Sequence, residues 1–340
     1  MSDLYFDVAT LNGVAAALPE PKTGLLDRHF TREVLSDRQE ISFDVEGSDL
    51  KLAPFVHPGA PGQNVVGEGF QVKTFRPAYT KDRNPFTPGG QLTRRIGEAI
   101  GGTMSATDRL AAAIADEISK KKARHARRLE WMAAQALVAG KVTVAGDYYP
   151  AVVVDFGRDP ANTIVKAGAS KWGQAGVSPV ADLATWGNSM ESPVKEWNMT
   201  QDAFALLSQD PAFEKRMDTN RRGSNTISSD IPGAKFAAVY VGDLDGVAVY
   251  VLPKQTYTDS DGTTKQMVPN MTVIGIGTGF EGVRHFGAIQ DIEAMEGGMV
   301  QSSLYIKSWI EKDPSARIVL AQSAPLMVPY RPNSTLVASV

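Results

Sequence analysis

Four histidines are the residues of this chain best suited to acid–base or metal chemistry: His29, His57, His125 and His285. No two of them have metal-ligand spacing, and neither an H-E-x-x-H nor a G-x-S-x-G motif is present. The chain also has no cysteine, which excludes thiol nucleophiles and cysteine-ligated metals. We therefore interpret each histidine as a packing or surface residue, and we predict no catalytic site, cofactor or metal.

One glycine motif could bind a nucleotide. Gly277, Gly279 and Gly282 form G-x-G-x-x-G after the apolar run MTVIGI. A dinucleotide site needs a helix to begin in such a loop, so that its N-terminus meets the pyrophosphate. The following residues, VRHFGAIQDIEA, alternate as a strand does. We predict a turn here, with a nucleotide-binding enzyme built on Gly277–Gly282 as the alternative from another class.

Two acidic groups could hold a cation. Asp291 and Glu293, with Glu296 nearby, alternate in what we predict is a strand, where they would face solvent. Asp259 and Asp261 resemble the start of a calcium loop, but the twelfth position is not the glutamate that such a loop requires. We predict a plain hairpin turn at the second group.

The strongest concentration of charge lies on the strongest predicted helix, residues 105–139. An apolar stripe of period 3.6 runs along it, Ser105 or Thr107 can cap its start, and Gly140 suits its end. The basic run interrupts the stripe at Lys121 and Lys122, so the helix is expected to bridge two packing regions or to bend. That run comprises Lys120, Lys121, Lys122, Arg124, Arg127 and Arg128. It lies in no DNA-reading motif and fits a solvated or ion-paired face.

One residue of this helix carries a stability prediction. We expect Trp131 to be buried against a β layer, so that Trp131→Ala would cost about 3–5 kcal/mol.

The segments before this helix have no core of their own. Residues 1–50 are acidic, and Leu26, Phe30 and Val34 predict one small helix in an arm. Residues 51–100 alternate short β-like runs with six prolines, which central strands exclude. We predict a projecting β-hairpin that packs on another subunit; a disordered loop is the alternative.

The overall composition is that of an ordinary globular chain. Its 340 residues carry 35 Lys plus Arg and 38 Asp plus Glu, a net charge of −3, which gives no general attraction to nucleic acid or to an anionic membrane. No apolar run approaches the roughly 20 residues of a membrane helix. After residue 140, β-like runs predominate, with two helical patterns within 178–209. We expect folding in a reducing cytoplasm.

Several stretches resemble one known family. They are FRPAYTKDRNPFTPGGQLTRR (75–95), LVAGKVTVAG (137–146), KRMDTNRRGSN (215–225), VPNMTVIG (268–275) and DPSARIVLAQSAPLMV (313–328). In this order, after an acidic arm and around a long basic-centred helix, they resemble the lambda-type major capsid proteins of tailed double-stranded-DNA bacteriophages.

The resemblance implies an α+β fold of the Hong Kong 97 type. Residues 1–50 would form the N-terminal arm and 51–100 the extended loop. A peripheral domain would take 101–176 and 281–330, with residues 105–139 as its spine helix. An axial domain would take 177–280 and 331–340.

The family's function would then be structural and not enzymatic. Copies would join as hexamers and pentamers into an icosahedral phage head around packaged double-stranded DNA, assembled in the host bacterial cytoplasm. Partners would be other copies, with a decoration or cementing protein, a portal and a scaffolding protein as further candidates, and no membrane. A non-viral compartment shell of the same fold is the close alternative. The candidate interface residues are Phe70, Arg76, Tyr79, Lys81, Arg83, Lys120, Lys122, Arg124 and Arg128.

We expect three of these residues, Arg76, Lys81 and Arg83, to pair with carboxylates of a neighbouring subunit, because this charged loop has no partners nearby in sequence.

Overall fold

The computed structural model describes residues 6–45, 71–89, 105–146, 149–218, 238–259 and 262–340. Seven complete α-helices lie in these ranges: α1 (Val8–Ala17), α2 (Leu25–His29), α3 (Ala106–Ala139), α4 (Pro179–Ser189), α5 (Gln201–Leu207), α6 (Pro211–Arg216) and α7 (Ile292–Glu296). The strands of the first half are β1 (Arg32–Leu35), β2 (Ile41–Val45), β3 (Gln71–Phe75), β4 (Thr80–Phe86), β5 (Lys141–Gly146), β6 (Tyr149–Asp155), β7 (Thr163–Val165) and β8 (Val194–Thr200). Those of the second half are β9 (Met217–Asp218), β10 (Val239–Leu244), β11 (Val247–Leu252), β12 (Thr256–Thr258), β13 (Thr264–Gln266), β14 (Thr272–Gly277), β15 (Gly282–Phe286), β16 (Tyr305–Lys312), β17 (Ser315–Ser323), β18 (Pro325–Pro329) and β19 (Thr335–Ser339).

The long helix α3 confirms the helix predicted at 105–139. The Ser105 hydroxyl accepts the N–H of Asp108, and the Asp108 carboxylate accepts the N–H of Ser105, which forms a capping box. The helix ends at Gly140, which adopts the left-handed conformation with φ 65° that glycine takes without strain.

Helix α3 joins two hydrophobic cores, as its interrupted stripe predicts. Ile114 and Ile118 pack in one core with α1, β16 and β17. Leu129, Met132 and other residues of the C-terminal half pack in the largest core, against β15, β18 and the β5–β6 pair. The lysines at 121 and 122 separate the two cores. Both are buried and ion-paired, with Asp82 and Glu20, so of the two predicted alternatives the ion-paired face is present at these positions.

A seven-stranded mixed sheet forms the other large part of the molecule. Its strand order is β7-β19-β14-β8-β11-β10-β9, and α4 and α5 pack with it around a third core. Trp172 and Trp186 stack in that core with ring centroids 5.8 Å apart, and Trp197 is buried there as well. The β-like runs expected after residue 140 include two antiparallel hairpins, β5–β6 and β10–β11.

The N-terminal segment differs from its prediction. The predicted helical face at Leu26, Phe30 and Val34 breaks after His29, because β1 pairs in parallel with β15 and main-chain pairing outweighs the local periodicity. Arg284 Nε also donates to the carbonyl of Phe30 at 2.5 Å. A further helix, α1, precedes it and was not predicted.

The predicted extended loop, 51–100, is only partly described. Strands β2 and β3 pair antiparallel, which brings residues 45 and 71 together; residues 51–70 and 90–100 lie outside the described ranges. Strand β4 does not project. It is the edge strand of the sheet β16-β17-β4, where Pro85 is tolerated.

The acidic positions near residue 291 also differ from their prediction. Asp291 is not in a strand: its carboxylate caps the N-terminus of α7, and Glu293 lies in the first turn of that helix. A capping aspartate followed by an acid in the first turn is typical of a helix start, and this signal was available in the sequence. The hairpin predicted at Asp259 is present as β12 and β13.

Candidate subunit interface

An open groove lies between the middle of α3, the β5–β6 hairpin and the segment that leads into β4. Six Lys or Arg residues line it, against two aspartates. The cationic residues are Arg76, Lys81, Arg83, Lys121, Arg124 and Arg128, and the aspartates are Asp82 and Asp259. We call this surface the basic groove. It brings together six of the nine candidate interface residues, namely Arg76, Tyr79, Lys81, Arg83, Arg124 and Arg128.

One ion-pair cluster fixes the floor of the basic groove. Lys121 Nζ lies 2.8 Å from both Asp82 Oδ1 and the Asp82 carbonyl oxygen, and its side chain is 0% exposed. Arg124 Nε lies 2.6 Å from Asp82 Oδ2, and Arg124 also pairs with Glu117. Burial alone would raise the pKa of Asp82, but hydrogen bonds from Lys121 and Arg124 outweigh it and lower that pKa. Strand β4 is thereby fastened to α3.

Three cations of the basic groove have no carboxylate partner among the described residues: Arg76, Lys81 and Arg128. The Arg128 guanidinium lies 5.2 Å from the centre of the Trp131 ring, and Lys81 Nζ lies 5.7 Å from that of Tyr79. Such cation–π contacts orient a charge without neutralising it. The groove therefore presents positive charge in fixed positions.

Hydrogen bonds hold the wall that carries these cations. The Tyr79 hydroxyl donates to the Ala288 carbonyl, and the Tyr149 hydroxyl donates to the Arg76 carbonyl at 2.9 Å. The segment that leads into β4 is therefore tied to the chain that follows β15 and to β6. A rigid wall lowers the entropy lost when a partner binds.

Two ring nitrogens in the basic groove are buried without a hydrogen-bond partner among the described residues. They are His125 Nε2 and Trp131 Nε1. Burial lowers the pKa of His125 to about 4, so that the ring is neutral at pH 7.

The sequence prediction that Trp131 is buried is only half right. The side chain is partly exposed to the basic groove and packs edge-on against Tyr257, with ring centroids 6.2 Å apart. It is partly exposed because α3 turns this residue toward the opening of the groove.

We therefore expect Trp131→Ala to lower the free energy of unfolding by about 2 kcal/mol, less than a fully buried tryptophan would. Urea denaturation checks this value. Met132→Ala, one residue further into the core, is the control and should cost about 2–5 kcal/mol. A larger loss for Trp131→Ala than for Met132→Ala would contradict the partial burial.

Arg83 lines the basic groove but pairs with Glu311 of the same chain at 2.7 Å, so it has a partner within the chain. Lys120 and Lys122 do not line the groove. Lys120 is exposed on α3. Lys122 is buried and binds groups of its own chain. It is therefore not at the surface, where an interface residue must lie. Phe70 lies outside the described residues.

Two buried charges of α3 position the N-terminal segment, and sequence analysis missed this role. Lys122 Nζ donates to the carbonyls of Ala15 at 2.8 Å and Leu18 at 2.7 Å, at the C-terminal end of α1. Glu130 accepts the N–H groups of Leu25 at 2.9 Å and Leu26 at 2.8 Å, at the start of α2. Each charge suits the helix end that it meets. Charged residues within the apolar stripe of a long helix were the available signal.

The glycine motif contributes to packing. No helix follows it; β14 ends at Gly277, a turn carries Gly279, and β15 begins at Gly282. A Cβ at Gly277 would lie 2.1 Å from Ser192 Oγ, and one at Gly282 would lie 2.3 Å from the carbonyl oxygen of His29. These glycines permit close approach of the chain, and the turn prediction is confirmed.

Neither a metal site nor a membrane-spanning helix is present among the described residues. No group of three or more His, Cys, Asp or Glu side chains there could hold a metal ion. Among the same residues, no helix is long and apolar enough to cross a membrane.

Comparison with known proteins gives a consistent result. The family profile of phage major capsid protein E matches residues 7–340. The chain is similar to the major capsid protein of Enterobacteria phage P21, with 30% identity over 324 residues and 93% of each chain covered. It is similar to the major capsid protein of Escherichia phage lambda, with 26% identity over 288 residues and 84% of each chain covered.

A solved structure has the same fold. A crystal structure of a prophage capsid protein from E. coli CFT073 matches with a TM-score of 0.74 and 23% identity, and covers 98% of this chain and 99% of that one.

Proposed function

This chain belongs to the phage major capsid protein E family, whose members form phage heads, and we propose that its copies join as hexamers and pentamers into an icosahedral shell around packaged double-stranded DNA. It is a structural protein of the virion and not an enzyme. The family match over residues 7–340 is the observation that carries the proposal. Similarity to a prophage capsid protein over nearly the whole chain supports the same α+β fold.

We propose the Hong Kong 97-type division of the chain, with one change of boundary. The arm (1–50), the peripheral domain (101–176 and 281–330) and the axial domain (177–280 and 331–340) keep their predicted limits. Strand β4 moves from the extended loop (51–100) to the peripheral domain, because it pairs along its whole length with β17. The core between α4, α5 and the seven-stranded sheet supports an axial domain. The largest core is shared by α3 and the same sheet, through Ile274, Ile276 and Val337, so it joins the two proposed domains.

We propose further that the basic groove is a contact between neighbouring subunits. Arg76, Lys81 and Arg128 carry charge that the described part of the chain does not neutralise. Carboxylates of a second copy would neutralise it. Arg83 is a weaker candidate, since Glu311 already pairs with it.

We expect Arg76→Ala combined with Lys81→Ala to reduce the association of subunits about tenfold. Each lost charge pair at a partly exposed contact contributes about 0.5–1 kcal/mol, and 1.4 kcal/mol is a factor of ten. Assembly yield by light scattering, with electron microscopy of the products, measures the effect. Salt should weaken the wild type and have less effect on the double variant.

A matched control removes two arginines from exposed ion pairs elsewhere. Arg32 pairs with Glu281 and Arg216 with Asp245, and Arg32→Ala with Arg216→Ala should assemble as the wild type does. Equal assembly of both double variants would refute the groove contact while leaving the capsid function intact.

The shell itself is tested by the mass of the purified chain in solution. Size exclusion with light scattering should detect hexamers, pentamers or closed shells, and electron microscopy of the heaviest fraction should show their symmetry. A compact monomer at all concentrations would count against self-assembly. Partners such as a decoration or cementing protein, a portal, a scaffolding protein and the packaged DNA remain proposals that co-purification from assembled heads can test.

A further inference from the structure

Helix α7 presents apolar side chains and carboxylates together at the surface. Its Ala294 is fully buried, whereas Ile292 and Met295 are 74% and 60% exposed. Six large apolar side chains are exposed among the described residues, and α7 is the one element there that carries two of them. Exposed apolar side chains that are grouped together are typical of contact surfaces.

The carboxylates of α7 differ in how far their charge is neutralised. Asp291, which caps the helix, lies 2.7 Å from Lys307 Nζ. Glu293 Oε1 lies 4.0 Å from the same Nζ, and the Glu293 side chain is half exposed. Glu296 is exposed and takes part in no ion pair among the described residues. The apolar and negatively charged surface that results, the outer face of α7, consists of Ile292, Glu293, Met295 and Glu296.

The outer face of α7 is complementary to the basic groove. Arg76, Lys81 and Arg128 line the groove and have no carboxylate partner among the described residues. The partly exposed rings of Tyr79 and Trp131 lie beside them. Cations next to aromatic rings can bind a surface that carries both carboxylates and apolar side chains. The two surfaces therefore match in charge and in polarity.

The two surfaces are neighbours on one subunit. Gln290 lines the basic groove, and α7 begins two residues later at Ile292. The hydroxyl of Tyr79, which also lines the groove, donates to the carbonyl of Ala288 in the same segment. Adjacent patches of opposite charge are self-complementary, because each patch can meet the opposite patch of a second copy.

The packing of α7 keeps it out of the groove of its own chain. Ala294 is buried in a small core with Ile289 and Tyr305. The chain after the helix folds back on this core, since the Met299 N–H donates to the Ala294 carbonyl at 2.8 Å. The outer face of α7 is therefore held on the side away from this core, where a second copy can reach it.

We propose that the outer face of α7 of a second copy is the partner of the basic groove. Glu293 and Glu296 then meet the cations of the groove, and Ile292 and Met295 meet its aromatic rings. The inference rests on the proposed function, for which it names the element that makes the contact.

Charge reversal on each side of the contact tests this pairing in the full chain. The groove variant is Arg76→Glu with Lys81→Glu, and the α7 variant is Met295→Lys with Glu296→Lys; all four side chains are exposed. Glu293 is left unchanged because it lies in the first turn of α7, where its charge stabilises the helix. Light scattering and electron microscopy measure the association of each variant alone and of an equimolar mixture.

We expect each variant alone to associate about tenfold more weakly than the wild type, because like charges then meet across the contact. In the mixture, the reversed groove of one variant meets the reversed α7 of the other, and the two unreversed surfaces also match. The mixture should therefore regain most of the wild-type association. Met295→Leu with Glu296→Asp keeps charge and polarity, and this matched control should associate as the wild type does.

Two results would overturn the proposal and leave the capsid function intact. The first is wild-type association of either variant alone. The second is weak association of both variants with no recovery in the mixture, since the two surfaces would then not meet. Urea denaturation checks the fold of each variant; if a double substitution unfolds early, Lys81→Glu and Glu296→Lys replace the pairs and the same two results decide. A wild-type chain that stays monomeric would instead contradict the proposed function.

Discussion

Acidification from pH 7 toward pH 4 is expected to lower the free energy of unfolding of this protein by on the order of 5–10 kcal/mol, through three buried histidines. Burial is the main cause of a lowered pKa at His29, His125 and His285, and each pKa falls from 6.5 to about 4. Each shift corresponds to about 3 kcal/mol at the acid end. A loss of this size is comparable to the whole stability of an ordinary domain.

The charged groups around each ring modify this effect. Glu196, whose Oε1 lies 3.2 Å from His29 Nε2, raises the pKa of His29 against burial, while Arg28 and Lys195 lower it. At His285, Arg32 adds to the effect of burial. His285 Nε2 also lies 2.9 Å from the Tyr330 hydroxyl, a contact that does not require a charged ring.

The direction follows from proton linkage. The unfolded chain binds these protons near pH 6.5 and the folded chain only near pH 4, so the unfolded state binds more protons between these values. The stabilisation is therefore complete above pH 6.5 and is lost as the pH falls toward 4. Each histidine contributes a slope of up to about 1.4 kcal/mol per pH unit within this window.

Urea unfolding at several pH values between 7.5 and 4.5 measures the slope. His29→Gln and His285→Gln each keep a polar side chain. Each should lower by about one the number of protons that the chain takes up on unfolding in this pH window. In the wild type and in both variants, the free energy of unfolding should not change with pH above pH 7. A wild-type slope that neither substitution reduces would contradict the roles of His29 and His285 and assign the acid sensitivity to other groups, His125 or carboxylates.

Local signals in the sequence were sufficient to predict those elements whose structure depends mainly on their own residues. Helix α3 was predictable to within a residue because its cap, its apolar period and its terminal glycine agree, and Lys121 and Lys122 marked the division between its two cores. The turn at Gly277–Gly282 was predictable because no helical pattern follows it. The basic groove was predictable only as a set of charges, since residues from three separate segments line it.

Contacts distant in sequence decided the rest. The helical period at Leu26 and Phe30 ended early because β15, some 250 residues away in the chain, pairs with β1. The burial of Lys122 depends on α1, and sequence patterns gave no indication that α1 ends beside it. The alternation of the residues before Asp291 predicts a strand that continues through it. The capping signal at Asp291 itself, which marks a helix start, outweighs that pattern.

The second large effect is expected at Asp82, where Asp82→Ala should lower the free energy of unfolding by about 3–5 kcal/mol. The substitution leaves the ammonium group of Lys121, which is 0% exposed, with the Asp82 carbonyl oxygen but without the carboxylate. Removing one partner of a buried ion pair is costly because the remaining charge keeps its desolvation penalty. Arg83→Ala, which breaks the neighbouring exposed pair with Glu311, is the control and should cost less than about 1 kcal/mol.

A rescue separates the charge from the packing at this position. Lys121→Met with Asp82→Asn removes both buried charges and retains much of the volume, and we expect it to recover most of the stability lost in Asp82→Ala. Because Asp82 fastens β4 to α3, it also fixes the directions of Lys81 and Arg83, the residues on either side of it. If the stable double variant still assembles poorly, the ion pair orients the cations of the basic groove. If urea denaturation shows equal losses for Asp82→Ala and Arg83→Ala, Lys121 finds another partner and the ion pair does not hold this wall of the groove.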